Sequence, residues 1–159
     1  MPFMPRPVAA LVRLQLLTGA RPSELLNLRP CDLDVSGPVW VAELKRHKLT
    51  YRGKTRTLCF GPRAQDVVRP FLDRPFRIGM FSPQDAIEDF LARKTAARVT
   101  PLSCGNRPGS NVKRHPRKAP GECYTADTYR HAIEAACDKA GIPRWTDTRR
   151  TREKRNPSG

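Results

Sequence analysis

Long apolar runs are missing from this chain of 159 residues, and several explanations fall with them. The start, Met1-Pro2-Phe3-Met4-Pro5-Arg6, has no apolar stretch of signal-peptide length, and nothing later is long enough to span a bilayer. Neither a basic amphipathic membrane helix nor a lipidation signal is present, so no membrane partner is expected. Cysteines number five, at 31, 59, 104, 123 and 137, and the closest two are 14 apart. No Cys-x-x-Cys or Cys/His ligand spacing arises, which argues against a structural zinc; neither metal nor cofactor is expected. A reduced, cytoplasmic protein is the default expectation. Internal repeats are absent. Acids are scarce: 15 Asp and Glu stand against 30 Lys and Arg, giving a net charge of +15. Self-repulsion of that size weakens a compact state unless a polyanion is close, and a phosphate backbone is the commonest such partner.

What is present suffices for one packed core: 38% of the residues are hydrophobic and 28% charged. From Val8 to Leu17 only Arg13 and Gln15 are polar, a pattern that predicts a helix buried on most sides. Thr18-Gly19-Ala20 breaks it, and Pro22 with Glu24 opens a second, short helix that ends at Arg29-Pro30. Val39-Trp40-Val41 and Thr57-Leu58-Cys59-Phe60 read as strands. Between them Glu43 to Arg56 carries Lys45, Arg46, Lys48, Arg52, Lys54 and Arg56 with His47, and Arg52-Gly53 marks a turn. A small two- or three-stranded antiparallel sheet with a basic hairpin follows.

Gly61-Pro62 closes the sheet, and Ala64, Val67, Val68, Phe71 and Leu72 stripe an amphipathic helix. Ser82-Pro83-Gln84-Asp85 resembles a capping box opening a helix whose apolar stripe is Ile87, Phe90 and Leu91. Tyr129, Ala132, Ile133, Ala136 and Ala140 stripe a last helix, closed by Gly141 and Pro143. Residues 98–122 read as an exposed basic loop rich in proline and glycine, and residues 144–159 as a basic, disordered tail.

The stretch Thr18-Gly19-Ala20-Arg21-Pro22-Ser23-Glu24-Leu25-Leu26-Asn27-Leu28 carries the chemistry. It sets the Arg21 guanidinium at a helix mouth, where free backbone N–H groups favour an anion. The planar fork of arginine matches phosphate, and Glu24, one turn on, is placed to hold it. The bland alternative is a surface arginine with a helix-start glutamate.

This stretch, followed by Asp32-Leu33-Asp34, resembles the Thr-Gly-x-Arg-x-x-Glu-Leu-x-x-Leu box of the tyrosine recombinase (phage integrase) family. The similarity runs through the basic hairpin to "RTLCFGPRAQDVV", covering roughly residues 8–72, and extends to 123–145 through "YTADTYRHAIEAACDKAGIPRW". The resemblance implies an α+β fold, mainly helical with one small antiparallel sheet, of the recombinase catalytic-core type. It implies that Arg21 clamps the scissile phosphate, that Glu24 buttresses Arg21, and that a hairpin lysine protonates the leaving oxygen. Lys48, in His47-Lys48-Leu49-Thr50, is the first choice, with Lys45 and Lys54 as rivals; Lys45, Arg52, Lys54 and Arg56 are expected DNA contacts.

The chain departs from the family pattern after "AGIPRW". No histidine lies beyond His131 and no tyrosine beyond Tyr129, so the His-x-x-Arg box and the tyrosine nucleophile are missing. The expectation is a truncated core: residues 1–97 its N-terminal part, 98–122 the basic loop, 123–143 a core helix and 144–159 the tail. Such a chain is expected to bind double-stranded DNA as part of a recombination or integration protein and to be inactive alone, since covalent catalysis needs its nucleophile. A homo-oligomer, or a complementing recombinase chain on the DNA, is the protein partner implied. The alternative is a small basic RNA- or ribosome-binding protein.

Overall fold

The computed structural model describes residues 3–44, 56–75, 78–105, 110 and 120–144. The expected hairpin residues Lys45, Lys48, Arg52 and Lys54, with Tyr51 and the tail from 145 on, lie outside them.

Helix α1 spans Arg6–Thr18, with proline in its first turn and Gly19 in the left-handed conformation (φ 64°) at its end. The Gly19 N–H donates to the Gln15 carbonyl at 2.9 Å, the ordinary way for a helix to stop at glycine. Val8, Leu11 and Leu14 fall on one face and are buried. The opposite face is not: Leu16 is 77% exposed and Leu17 39%. Burial on most sides, expected from the unbroken apolar run, is therefore corrected to burial on one face. Composition counts apolar residues, whereas the neighbours reach only one side of the helix.

Helix α2 covers Pro22–Leu26, and a 3-10 turn follows at Pro30–Asp32. Strands β1 (Leu33–Asp34), β2 (Trp40–Leu44) and β3 (Arg56–Phe60) form one antiparallel sheet in that order. Trp40 pairs with Phe60, Ala42 with Leu58 and Leu44 with Arg56. Successive strand residues point to opposite faces, so Trp40, Ala42, Leu58 and Phe60 share the buried face while Glu43, Thr57 and Cys59 are exposed. By the same parity Arg56 starts β3 on the inward side.

Helix α3 (Pro62–Val68) tightens into a 3-10 turn at Arg69–Phe71. The single helix expected through Leu72 is shortened because Pro70 has no N–H to donate. Gln65 in α3 donates from Nε2 to the carbonyls of Pro38 (2.8 Å) and Phe60 (3.0 Å), fastening helix to sheet. Helix α4 is Pro83–Ala96, its first turn capped by the Ser82 hydroxyl accepting from the Gln84 N–H at 3.1 Å. Helix α5 is Ala126–Ala140, opened by Thr125 and closed by Gly141 (φ 66°).

The core gathers Val8, Leu11 and Leu14 of α1, Leu25 and Leu28, Leu58 and Phe60 of the sheet, Val68, and the Met80-Phe81 pair before α4. Phe71 and Phe81 pack with ring centroids 5.0 Å apart. The Met80 N–H donates to the Leu28 carbonyl at 2.9 Å, tying this segment to the end of the arginine stretch. Tyr129 of α5 donates its hydroxyl proton to the Gln15 side chain of α1 across a sequence separation of 114. The fold class is thus α+β, mainly helical with a small antiparallel sheet, and no helix among the described residues is long and apolar enough to cross a membrane.

Candidate functional site: two arginines on one buried carboxylate

Arg21 is held in extended backbone (φ −73°, ψ 150°) by the proline that follows it, and α2 begins at that proline. Its backbone N–H donates to Glu24 Oε2 at 2.8 Å, and the Glu24 N–H donates back to the Arg21 carbonyl at 3.0 Å. The free N–H expected at this helix mouth is therefore partly taken: Glu24 occupies the Arg21 amide. What remains for an anion is the guanidinium.

Glu24 is the unusual member. Its side chain is only 3% exposed, and a buried carboxylate needs compensating charge. Two guanidiniums supply it. Arg56 Nε lies 3.0 Å from Glu24 Oε1, and Arg21 Nη1 lies 3.6 Å from the same oxygen. The Arg56 approach is short, but neither Arg56 Nε nor Glu24 Oε1 makes a directed hydrogen bond, so the attraction is mainly Coulombic. Arg56 arrives there because strand parity turns it inward at the base of the hairpin. Arg21 stays 47% exposed and Arg56 36%. Two positive charges on one negative leave the cluster at +1, with its open side formed by the Arg21 guanidinium.

The structure thus brings Arg21, Glu24 and Arg56 together. The Arg56–Glu24 pair was not foreseen, since it joins residues 32 apart in sequence that only the fold makes neighbours. Lys48, Lys45, Arg52 and Lys54 belong to the undescribed hairpin tip, so the choice among the lysines falls outside the described residues.

A second arginine–acid turn follows the first. Arg29-Pro30-Cys31-Asp32 repeats the order arginine, proline, small residue, acid found at Arg21-Pro22-Ser23-Glu24, and shares its extended arginine (ψ 156°). Here the guanidinium closes on its own acid. Arg29 Nε donates to Asp32 Oδ2 and Nη2 to Oδ1, both at 3.0 Å, and the backbone N–H adds a third bond at 3.2 Å. Burial alone would raise the Asp32 pKa, but the bonds and charge of Arg29 outweigh it and hold the carboxyl below its ordinary value. The same bond and charge push the Arg29 guanidinium up.

Beside these turns opens a cleft of about 530 Å³, walled in part by Glu24, Asp32, Glu43 and Glu122 with Arg29 and Cys123. Four carboxylates against one guanidinium make it hostile to a polyanion, so the anion-facing surface is the Arg21 side and not the cleft. Gly79 on its wall is needed for close approach: a Cβ there would meet Cys123 Sγ at 2.2 Å. Among the described residues no group of three or more His, Cys, Asp or Glu side chains is arranged to hold a metal ion.

The two described tyrosines are poor nucleophiles. Burial, with the Asp85 charge added, pushes Tyr124 up to about 12, and burial pushes Tyr129 up to about 12. The Tyr129 hydroxyl is also engaged with Gln15.

Set against protein-family models, curated proteins and solved structures, the chain matches none of them.

Proposed function

We propose that the chain binds double-stranded DNA through a tyrosine-recombinase-type arginine site, in which the Arg21 guanidinium takes a backbone phosphate and the hairpin bases flanking it add further contacts. The observation that carries this reading is the half-exposed Arg21 guanidinium beside Arg56, both anchored on the buried Glu24 at the hairpin base. A net charge of +15 supports the same partner class, since each phosphate neutralised releases condensed counterions. In this reading Lys48 is the hairpin lysine nearest in role to a proton donor, and the chain is part of a site-specific recombination protein.

The test is the salt dependence of duplex binding. Log K is expected to fall steeply with log salt, by about 0.9 per phosphate contact. Arg21→Gln is expected to lower that slope by about 0.9 and to weaken binding about fivefold near physiological salt. Binding insensitive to salt would reject the reading, and a preference for structured RNA over duplex DNA would favour the ribosomal alternative. Strand cleavage is a separate outcome. Because Tyr124 and Tyr129 hold their protons to about pH 12, no covalent adduct is expected on half-site DNA at neutral pH. An adduct that disappears in Tyr124→Phe would overturn that expectation.

A further inference from the structure

The tandem arginine–acid turns allow each to serve as a control for the other. Backbone, spacing and proline are shared, yet Arg29 grips its own acid with two side-chain bonds while Arg21 stands 3.6 Å from its acid and remains half-exposed. The difference lies in a third residue. No second cation approaches Asp32 among the described residues, whereas Arg56 sits 3.0 Å from the Oε1 of Glu24. The other oxygen, Oε2, is already occupied by the Arg21 amide. Glu24 therefore has no vacant oxygen on which the Arg21 guanidinium could close.

We propose that Arg56 is a positioning residue whose task is to keep Arg21 available: by saturating the buried carboxylate of Glu24, it stops the Arg21 guanidinium from folding back onto its own acid and leaves it turned outward for an anion. Without Arg56, Glu24 would remain a buried charge with one oxygen free, and Arg21 is the nearest cation to satisfy it. The Arg21 turn would then come to resemble the Arg29 turn. The anion class, a phosphodiester, rests on the proposed function; the competition for Glu24 does not.

Two readouts keep these apart. The first needs no DNA: the Nε–H signals of Arg21 and Arg29 in an arginine-labelled sample, followed by proton exchange. In the native chain Arg29 is expected to be protected and Arg21 not. In Arg56→Gln the Arg21 signal is expected to become protected like that of Arg29, and in Arg56→Lys, which keeps a cation beside Glu24, to stay exposed. The second readout is a mutant cycle on duplex DNA. Arg21→Gln is expected to weaken binding about fivefold in the native background and to have almost no further effect in Arg56→Gln, where Arg21 is already withdrawn. In a Glu24→Gln background, with no carboxylate to fall back on, the Arg21→Gln effect is expected to return whether or not Arg56 is present. Unchanged Arg21 exchange in Arg56→Gln, or additive losses in the cycle, would overturn the proposal. If Arg56→Gln fails to fold, Arg56→Lys decides: protection of Arg21 in that variant would also overturn it. A native chain that ignores DNA would reject the proposed function and leave the exchange experiment standing.

Discussion

The two arginine–acid turns show how one local design yields two behaviours. At Arg29–Asp32 both partners are partly exposed and the pair is self-contained, a bidentate clamp that positions the entry to β1. At Arg21–Glu24 the acid is buried and the arginine is not, so the pair must be completed from elsewhere, and strand β3 completes it with Arg56. A short sequence motif therefore does not fix what its arginine does. Burial of the acid decides, because only a desolvated carboxylate draws in a second cation.

The largest expected effect tests that claim on stability. Glu24→Gln removes the carboxylate while keeping its shape, leaving Arg56 and the Arg21 amide without their charged partner; a loss of about 2 kcal/mol is expected in urea unfolding. Asp32→Asn removes an equivalent charge from a more exposed pair, and a loss of at most about 1 kcal/mol is expected by the same measurement. Equal losses would erase the contrast between the two turns.

Acid provides a finer test. The Asp32 carboxyl is held below its ordinary value in the folded chain, so the unfolded chain binds the proton more readily. The stability it contributes is fully present above the unfolded pKa and is lost as pH falls through the lower, folded one. Between pH 5 and pH 2 the native chain is expected to lose more stability than Asp32→Asn does. Parallel pH profiles for the two proteins would show that the clamp contributes nothing. The smallest effect is expected on α4, where Phe90 is 56% exposed: Phe90→Ser should change unfolding stability by under about 0.5 kcal/mol.

That last residue also marks where sequence reading stops. The stripe of Ile87, Phe90 and Leu91 was legible as a helix periodicity, and α4 forms where the stripe and Ser82 place it. Which way the stripe faces was not legible. The helix docks through polar links, Arg6 to Asp89 at 3.3 Å and Arg74 to Asp85, and these turn the apolar side outward. Gln84, read as part of a capping box, reaches on to Glu88 instead. Caps and breaks at Gly19, Thr125 and Gly141 were readable because they depend on one or two local residues. The inward turn of Arg56 was not, since it depends on strand register set by the packing of Leu58 and Phe60. The box around Arg21 marked the right neighbourhood, and the partner that completes it came from the far side of the hairpin.

The hydroxyl of Tyr129 resting on Gln15 has a consequence for how the chain is made. A ribosome adds roughly 5 to 20 residues each second, so α1 exists for roughly 6 to 23 s before the residue that meets its Gln15 has been added. During that interval the first helix must be sheltered by what is already synthesised, α2 and then the sheet, with its α5-facing side bare. The arginine corner is thus among the early parts to assemble, and the last helix arrives as a latch on a largely finished body.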